Sequence, residues 1–252
     1  GLGDVYKRQV LVAPASANVI GKIANGIADD MLTTTVMACP CKKLIAPAMN
    51  TRMFENPILQ DNLEKCRHYG MDIIMPDSGR LACGDVGSGK LPSEEVLVAA
   101  ILKEIRYEKD MQGLKVLVTA GATQEAIDPV RFISNHSTGK MGFALAKTAM
   151  QRGADVTVVA AHTSAKEPLY VNIRRVSSAA DMFEACKEEA KTADIIIKAA
   201  AVADYTPVET ADNKIKKSDD TMAITCKRTQ DILAYLCLLY TSPSPRDRQK
   251  SR

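Results

Sequence analysis

Residues 114–123 read LKVLVTAGAT. The run Leu114–Thr119 is apolar, rich in β-branched residues and of strand length. A turn of small residues, Gly121-Ala122-Thr123, follows it. Small side chains after a strand let backbone amides approach a phosphate, although a tight strand–helix connection is the commoner use of such a turn. The spacing is not G-x-G-x-x-G, which disfavours a standard dinucleotide pocket.

The alternation that this stretch begins runs through the rest of the chain. Downstream the pattern predicts a helix over Met141–Gln151, strands over Ala154–Ala161 and Asn172–Val176, a helix over Ala180–Lys191 and a strand over Ala193–Ala201. Upstream it predicts a strand over Val10–Pro14 and a helix over Ala17–Ala28, with Ile20, Ala24 and Ile27 on one face. A strand KKLIAP ends at Pro47, and a helix over Asn56–Tyr69 turns Ile58, Leu59, Leu63 and Cys66 inward. A strand over Asp72–Met75, a glycine-rich loop from Asp77 to Lys90 and a helix over Glu94–Arg106, capped by Ser93, complete this half. Between the halves, YEKDMQG (107–113) is polar and ends in glycine. Strands alternating with helices imply parallel sheets covered by helices. The expectation is an α/β chain of two Rossmann-like parallel-sheet units in tandem, 10–106 and 114–236, joined by a linker at 107–113. The first unit is expected to be incomplete at its N-terminus and the second at its C-terminus.

Composition narrows the function. At 252 residues, 46% hydrophobic and 25% charged, the chain has the make-up of an ordinary globular protein, which excludes disorder as the main state. No apolar run reaches the roughly 18 residues of a membrane-spanning helix. Without tryptophan and with 4% aromatic residues, a base-stacking nucleic-acid surface is disfavoured. The net charge of +3 sits at the ends. Residues 237–252 carry four Arg or Lys against Asp247, and residues 1–9 carry Lys7 and Arg8 against Asp4, which leaves the stretch between them at −1. Both ends lack apolar periodicity and resemble translated adapter sequence, so they are expected to be non-native and to pack against nothing. Cysteines stand at 39, 41, 66, 83, 186, 226 and 237. Cys39-Pro40-Cys41 lacks a second ligand pair for zinc, and scattered cysteines suggest reduced thiols in the cytoplasm.

Three segments of the first half carry candidate chemistry. Ser16 precedes a helix start in PASAN (14–18), where a hydroxyl suits a polar or anionic ligand and equally a plain helix cap. Asn50, in PAMNTRMFENP (47–57), can donate to and accept from a carboxylate. Cys83 sits among four glycines between Asp77 and Lys90, the composition of a mobile flap. In this order the segments resemble the homo-oligomeric flavin-containing cysteine decarboxylases, most closely those acting on phosphopantothenoylcysteine. The resemblance implies FMN contacts by Ser16, Ala17 and Asn18, a substrate carboxylate held by Asn50, and a proton supplied by Cys83 in the last reduction. It places that family's flavin-phosphate loop and catalytic histidine before Val10. None of His68, His136 or His162 matches that histidine.

The second half carries another set. Ser137-Thr138-Gly139 precedes a helix whose N-terminus can receive a phosphate. Asp204 follows the buried run Ala199–Ala203, where an acid can bind a ribose hydroxyl or base edge. Lys214-Ile215-Lys216-Lys217 reads either as a solvated charge run or as a clamp on phosphate charge. TAGAT, IDPVRFISNHSTGKMG, AAAVADY, KIKK and QDILA together resemble the CTP-dependent phosphopantothenate–cysteine ligases. In the bifunctional proteins of coenzyme A biosynthesis that domain follows the decarboxylase. The resemblance implies activation of 4'-phosphopantothenate as an acyl-cytidylate with Mg2+, then displacement of CMP by cysteine. It assigns Asn135 to the acyl-cytidylate and Lys214 to the phosphate transition state. It assigns Ala200, Asp204, Gln230, Asp231, Ile232 and Leu233 to CTP, and Gln230 stands where that family usually has proline. Metal-ligating residues stay unassigned. Two other classes compete: a non-catalytic flavodoxin-like regulatory subunit, against which the ligase motifs count, and an NAD(P)-dependent oxidoreductase.

Overall fold

A computed structural model describes residues 9–80, 86–216 and 221–239. The chain separates into two compact units, 1–107 and 108–252.

The first unit holds β1 (Gln9–Ala15), α1 (Ala17–Ala24), α2 (Met31–Ala38), β2 (Lys42–Pro47), α3 (Thr51–Phe54), α4 (Pro57–His68), β3 (Asp72–Ile73), β4 (Asp77–Arg80), β5 (Val86–Lys90) and α5 (Glu94–Ile105). β1, β2 and β3 form a parallel sheet in that order. Side chains alternate across β2: Ile45 packs with Ile20, Val36, Leu59 and Leu63, while Leu44 and Ala46 pack with Ile74 and Ala100. Helices therefore cover both faces, as a buried parallel sheet requires. The helix predicted to reach Ala28 stops at Ala24, because Gly26 turns the chain into the left-handed region at φ +70°. The expected loop Asp77–Lys90 contains an antiparallel hairpin, β4 against β5.

The second unit holds β6 (Lys115–Ala120), β7 (Gln124–Ala126), β8 (Phe132–Ser134), α6 (Lys140–Gln151), β9 (Asp155–Ala160), β10 (Asn172–Arg175), α7 (Ala179–Glu189), β11 (Ile195–Lys198), β12 (Tyr205–Pro207), β13 (Cys226–Arg228) and α8 (Ile232–Leu239). Its sheet is parallel in the order β10-β9-β6-β11. Val116, Val118 and Ala120 of β6 face Phe143, Ala146 and Met150 of α6. Leu117 faces the other way, toward Met182, Phe183, Ile232 and Leu236 of α7 and α8. Burial of the Cys186 side chain on the inner face of α7 pushes its thiol up to about 11.

The segment expected as a linker docks on this unit. Asp110 pairs with Arg152 at 2.5 Å, Lys109 donates to the Gln151 carbonyl at 2.6 Å, and Met111 joins the core. Of the ends expected to be non-native, residues 1–8 and 240–252 lie outside the described residues. Gln9 already pairs with Lys42 in β1, so its backbone belongs to the sheet, and α8 continues past Leu236 through Cys237 and Leu238.

Gly142 sets how close α6 lies on β6. A Cβ there would stand 2.7 Å from the Ala120 Cβ and 2.9 Å from the Thr119 carbonyl oxygen, and neither can move without shifting the strand. Gly142→Val should therefore destabilise the second unit by about 1–3 kcal/mol, the usual cost of overpacking. A urea midpoint equal to wild type would contradict this.

Candidate functional site

The sheet order fixes where a ligand can sit. From β6 the chain runs outward to β9 and β10, then returns to β11 on the opposite edge of β6. In open parallel sheets the crevice at the carboxyl ends of two such strands is the usual ligand site. Here that crevice lies beyond Ala120 and Lys198.

Gly121 makes the crevice possible. Its φ is +83°, and a Cβ would meet the His162 carbonyl oxygen at 2.4 Å. The turn is held on both sides: Ala122 and His162 exchange backbone hydrogen bonds of 3.0 Å, and the Ala201 amide donates to the Gly121 carbonyl at 2.7 Å. Two buried hydroxyls then fix the connection after β11. Thr119 accepts from the amides of Ala199 and Ala200 at 3.1 and 3.2 Å, and Thr123 accepts from Ala203 at 2.9 Å.

The structure brings most of the expected ligase residues to this place. The Asn135 side-chain amide donates to the Val202 carbonyl at 3.2 Å, which ties the segment after β8 to the connection carrying Ala200 and Asp204. From the other side, the Thr229 hydroxyl donates to the Ala203 carbonyl at 2.7 Å and the Thr229 amide to the Asp204 carbonyl at 2.9 Å. Asp204, Gln230, Asp231 and Ile232 share a cavity of about 400 Å³ with Lys198, Tyr205 and Arg228. α6 begins nearby at Gly139, which is left-handed at +77° and provides no side-chain cap.

Other expected residues have structural employment. Asp231 accepts from the Ala234 amide at 3.0 Å, and this amide, opposed by burial and helped by Leu233 and Lys198, holds its carboxyl below the ordinary value. The Ile232 side chain is 2% exposed and packs in the core, so its backbone alone remains for a ligand. Leu233 is exposed and does not line the cavity. Nor does Lys214, which is exposed on a segment anchored elsewhere. There Asp128, with its side chain fully buried, accepts from the amides of Val130, Arg131 and Ile215 and pairs with the Arg131 guanidinium at 2.8 Å. Arg131 donates in turn to the Ile215 carbonyl at 2.6 Å. Sequence reasoning missed Lys198 and Arg228. A lysine closing the all-apolar run Ile195–Ile197 was the available signal.

In the first unit, Ser16 and Asn50 cap helices. The exposed Ser16 hydroxyl accepts from the Val19 amide at 3.3 Å, and Asn50 accepts from the Arg52 amide at 2.8 Å. Backbone bonds join the segments that carry them: Ala48 donates to the Ala15 carbonyl at 3.1 Å and Met49 to the Gly89 carbonyl at 3.0 Å. Gly89 is required at that contact, since a Cβ would lie 2.3 Å from the Met49 carbonyl oxygen. The Ser16 and Asn50 segments and the β4–β5 hairpin are thus neighbours. Ala17 is half-buried and Asn18 exposed at the start of α1. Cys83 lies outside the described residues. Among the described residues no group of three or more His, Cys, Asp or Glu could hold a metal ion, and no helix is long and apolar enough to cross a membrane.

Family comparison matches two segments of the chain. Residues 111–243 match the family described as DNA/pantothenate metabolism flavoprotein C-terminal domain, and residues 2–106 match the flavoprotein family. The chain belongs to the DNA/pantothenate metabolism flavoprotein family. It is 48% identical over 230 residues to the coenzyme A biosynthesis bifunctional protein CoaBC of Bacillus subtilis, covering 90% of this chain and 57% of that protein. It is 45% identical over 231 residues to the protein of that name from Mycobacterium bovis, covering 89% and 55%. It therefore spans a little over half the length of these relatives. A crystal structure of the C-terminal domain of a CoaBC protein superposes with a TM-score of 0.45 at 42% identity, covering 52% of this chain and 61% of that one.

The buried Asp128 node yields a pH-dependent prediction. Burial raises the Asp128 carboxyl, but the three amides and Arg131 outweigh it and hold it below its ordinary 3.8. The ionised form is thus preferred in the folded chain. Its stabilising effect is complete above the ordinary carboxylate range and is lost as pH falls through the depressed value. Asp128→Asn should lower the urea midpoint at neutral pH and speed tryptic cleavage at Lys214. The gap from wild type should close as the pH drops below 3.8. A gap that stays constant with pH would remove the carboxylate from this role.

Proposed function

We infer that the chain carries parts of two active sites of coenzyme A biosynthesis. The second unit ligates cysteine to 4'-phosphopantothenate at the expense of CTP, and the first decarboxylates the phosphopantothenoylcysteine so formed to 4'-phosphopantetheine. The observation that carries this reading is the convergence of Asn135, Ala200, Asp204 and Gln230 on one connection at the β6–β11 switch, beside a cavity of about 400 Å³. That volume falls in the ordinary range for small-molecule sites. Identity to bifunctional relatives supports it in both units.

In the ligase reaction the phosphopantothenate carboxylate attacks the α-phosphorus of CTP and releases pyrophosphate, and the cysteine amine then displaces CMP from the acyl carbon. Asp204 and the backbone around Ala200 and Gln230 are suited to the nucleoside. Lys198 and Arg228 put positive charge on the same wall as Asp204 and Asp231. With its side-chain nitrogen engaged by Val202, Asn135 presents its oxygen as an acceptor, which can orient an amine or hold a polar intermediate by hydrogen bonding. Lys214, which stands exposed outside the cavity on the segment that Asp128 anchors, would have to swing in to supply the full charge for phosphate displacement. Mg2+ would enter with the nucleotide phosphates, which commonly complete the coordination of this ion in place of a protein cage.

For the decarboxylase, the donor set at α1 fits FMN. The Ser16 hydroxyl accepts from Val19 and retains its own proton for a ligand oxygen, next to the first amides of the helix. Bound there, FMN would supply the two-electron chemistry, taking up the pair from thiol oxidation and giving it back in the final reduction. Asn50 would hold the substrate carboxylate, and Cys83 would return a proton to the product. A cytoplasmic homo-oligomer acting on small molecules belongs to the same reading.

Single turnover with labelled CTP tests the ligase assignment, with cysteine first omitted and then added. Lys214→Gln should abolish pyrophosphate release. Asn135→Asp should form the acyl-cytidylate and transfer it poorly, because its carboxylate repels the phosphate. Equal loss of the intermediate in both variants would overturn the division of roles. In the full-length protein, Ser16→Ala should lose bound flavin on desalting more readily than wild type, read from flavin absorbance, and unchanged retention would remove Ser16 from the flavin contacts.

A further inference from the structure

Cys39 and Cys41 flank Pro40 where α2 hands over to β2, a motif that neither proposed reaction uses. Their sulfur atoms stand 3.1 Å apart. Both side chains are half-buried and Pro40 is exposed, so a small molecule can reach the pair. The Lys43 ammonium donates to the Cys39 carbonyl at 2.7 Å and lies 3.5 Å from the Cys41 carbonyl, which puts a positive charge beside the two thiols. Such a charge favours a thiolate, the form that attacks a disulfide. The geometry differs from that of the other inner cysteines: Cys66 and Cys186 are buried in the cores, and desolvation pushes both thiols up.

We propose that Cys39 and Cys41 form a dithiol–disulfide exchange site that reacts with low-molecular-weight disulfides. One thiolate of the pair attacks a sulfur of the small disulfide, which forms a mixed disulfide and expels one small thiolate. The second protein thiol gives its proton to that thiolate and attacks the first protein sulfur. The Cys39–Cys41 bond forms, the mixed bond breaks, and the second small thiol leaves on taking up the proton lost by the attacking thiol. Two electrons and two protons pass from the protein to the small disulfide. The hydrogen bond with the Cys39 sulfur, together with burial, raises the Cys41 thiol, which suits Cys41 to the second, resolving role. A bridge between residues two apart closes a small ring at a half-exposed site, and such strained, accessible disulfides are the readily reduced ones. The two cysteines lie at the amino end of β2, whereas Asn50 follows its carboxyl end, so the site stands apart from the proposed decarboxylase chemistry and does not rest on it.

The test equilibrates the whole chain with mixtures of reduced and oxidised glutathione, quenches with acid, alkylates and maps the peptides by mass. The expected result is a peptide lacking two hydrogens, with both Cys39 and Cys41 protected from alkylation, while Cys66 and Cys186 stay alkylated. Dithiothreitol should restore both alkylations. In Cys41→Ser, Cys39 should stop at the mixed disulfide with glutathione. The proposal is overturned if both Cys39 and Cys41 remain alkylated at ratios that glutathionylate the exposed Cys237, or if wild type gathers mixed disulfides at these positions without closing the bridge. The wild-type map decides between these outcomes even if the variant fails to fold.

Discussion

The second unit depends on two hydroxyls. Thr119 and Thr123 are fully buried, and each spends its oxygen on backbone amides of the connection after β11. A chain leaving a parallel sheet must find partners for amides that the strand no longer satisfies, and an unsatisfied buried amide costs about 1–3 kcal/mol. Here the partners come from the neighbouring strand and its turn. The path of Ala199–Asp204 is therefore set by β6, and everything placed on that path inherits its position: Asn135 from one side, Thr229 from the other, and the cavity wall at Asp204.

The main elements were legible because both sheets are covered on both faces. LKVLVTA and KKLIAP are nearly continuous apolar runs, and the helices between them carry one apolar face each. What stayed hidden lacks a period of its own. α2 spans MLTTTVMA, a threonine-rich stretch with weak helix preference, and a capping box between Asp30 and Thr33 starts it. β7, β8, β12 and β13 are only three residues long, too short to show a period, and β12 and β13 pair across a long connection, as with Tyr205 opposite Arg228. A hairpin inside the glycine-rich flap was masked by the glycines themselves.

The candidate site was legible in part for a related reason. Motif residues were found where backbone geometry restricts the sequence, as at Gly121 and Gly139, or where an amide or acid follows a strand, as at Asn135 and Asp204. Residues whose role comes from a shared wall escaped. Lys198 and Arg228 lie thirty residues apart in ordinary contexts and meet only because β13 returns against β12. Conversely, Asp231 and Ile232 sit in a recognisable motif yet serve the helix and the core as well as the cavity.

Glu125 accepts from the Ala179 amide at the start of α7, at 2.8 Å, and is itself buried. Ser134, on the partner strand at the same open end of the β7–β8 hairpin, donates to the Thr123 carbonyl at 2.7 Å. An arm pinned at one point can still swing, and the swing grows with distance from the pin. Two pins, one at a helix end and one at the strand turn, remove that rotation. Asn135 follows Ser134 directly, so it sits beside the second pivot, where residual tilt of the arm produces the least displacement.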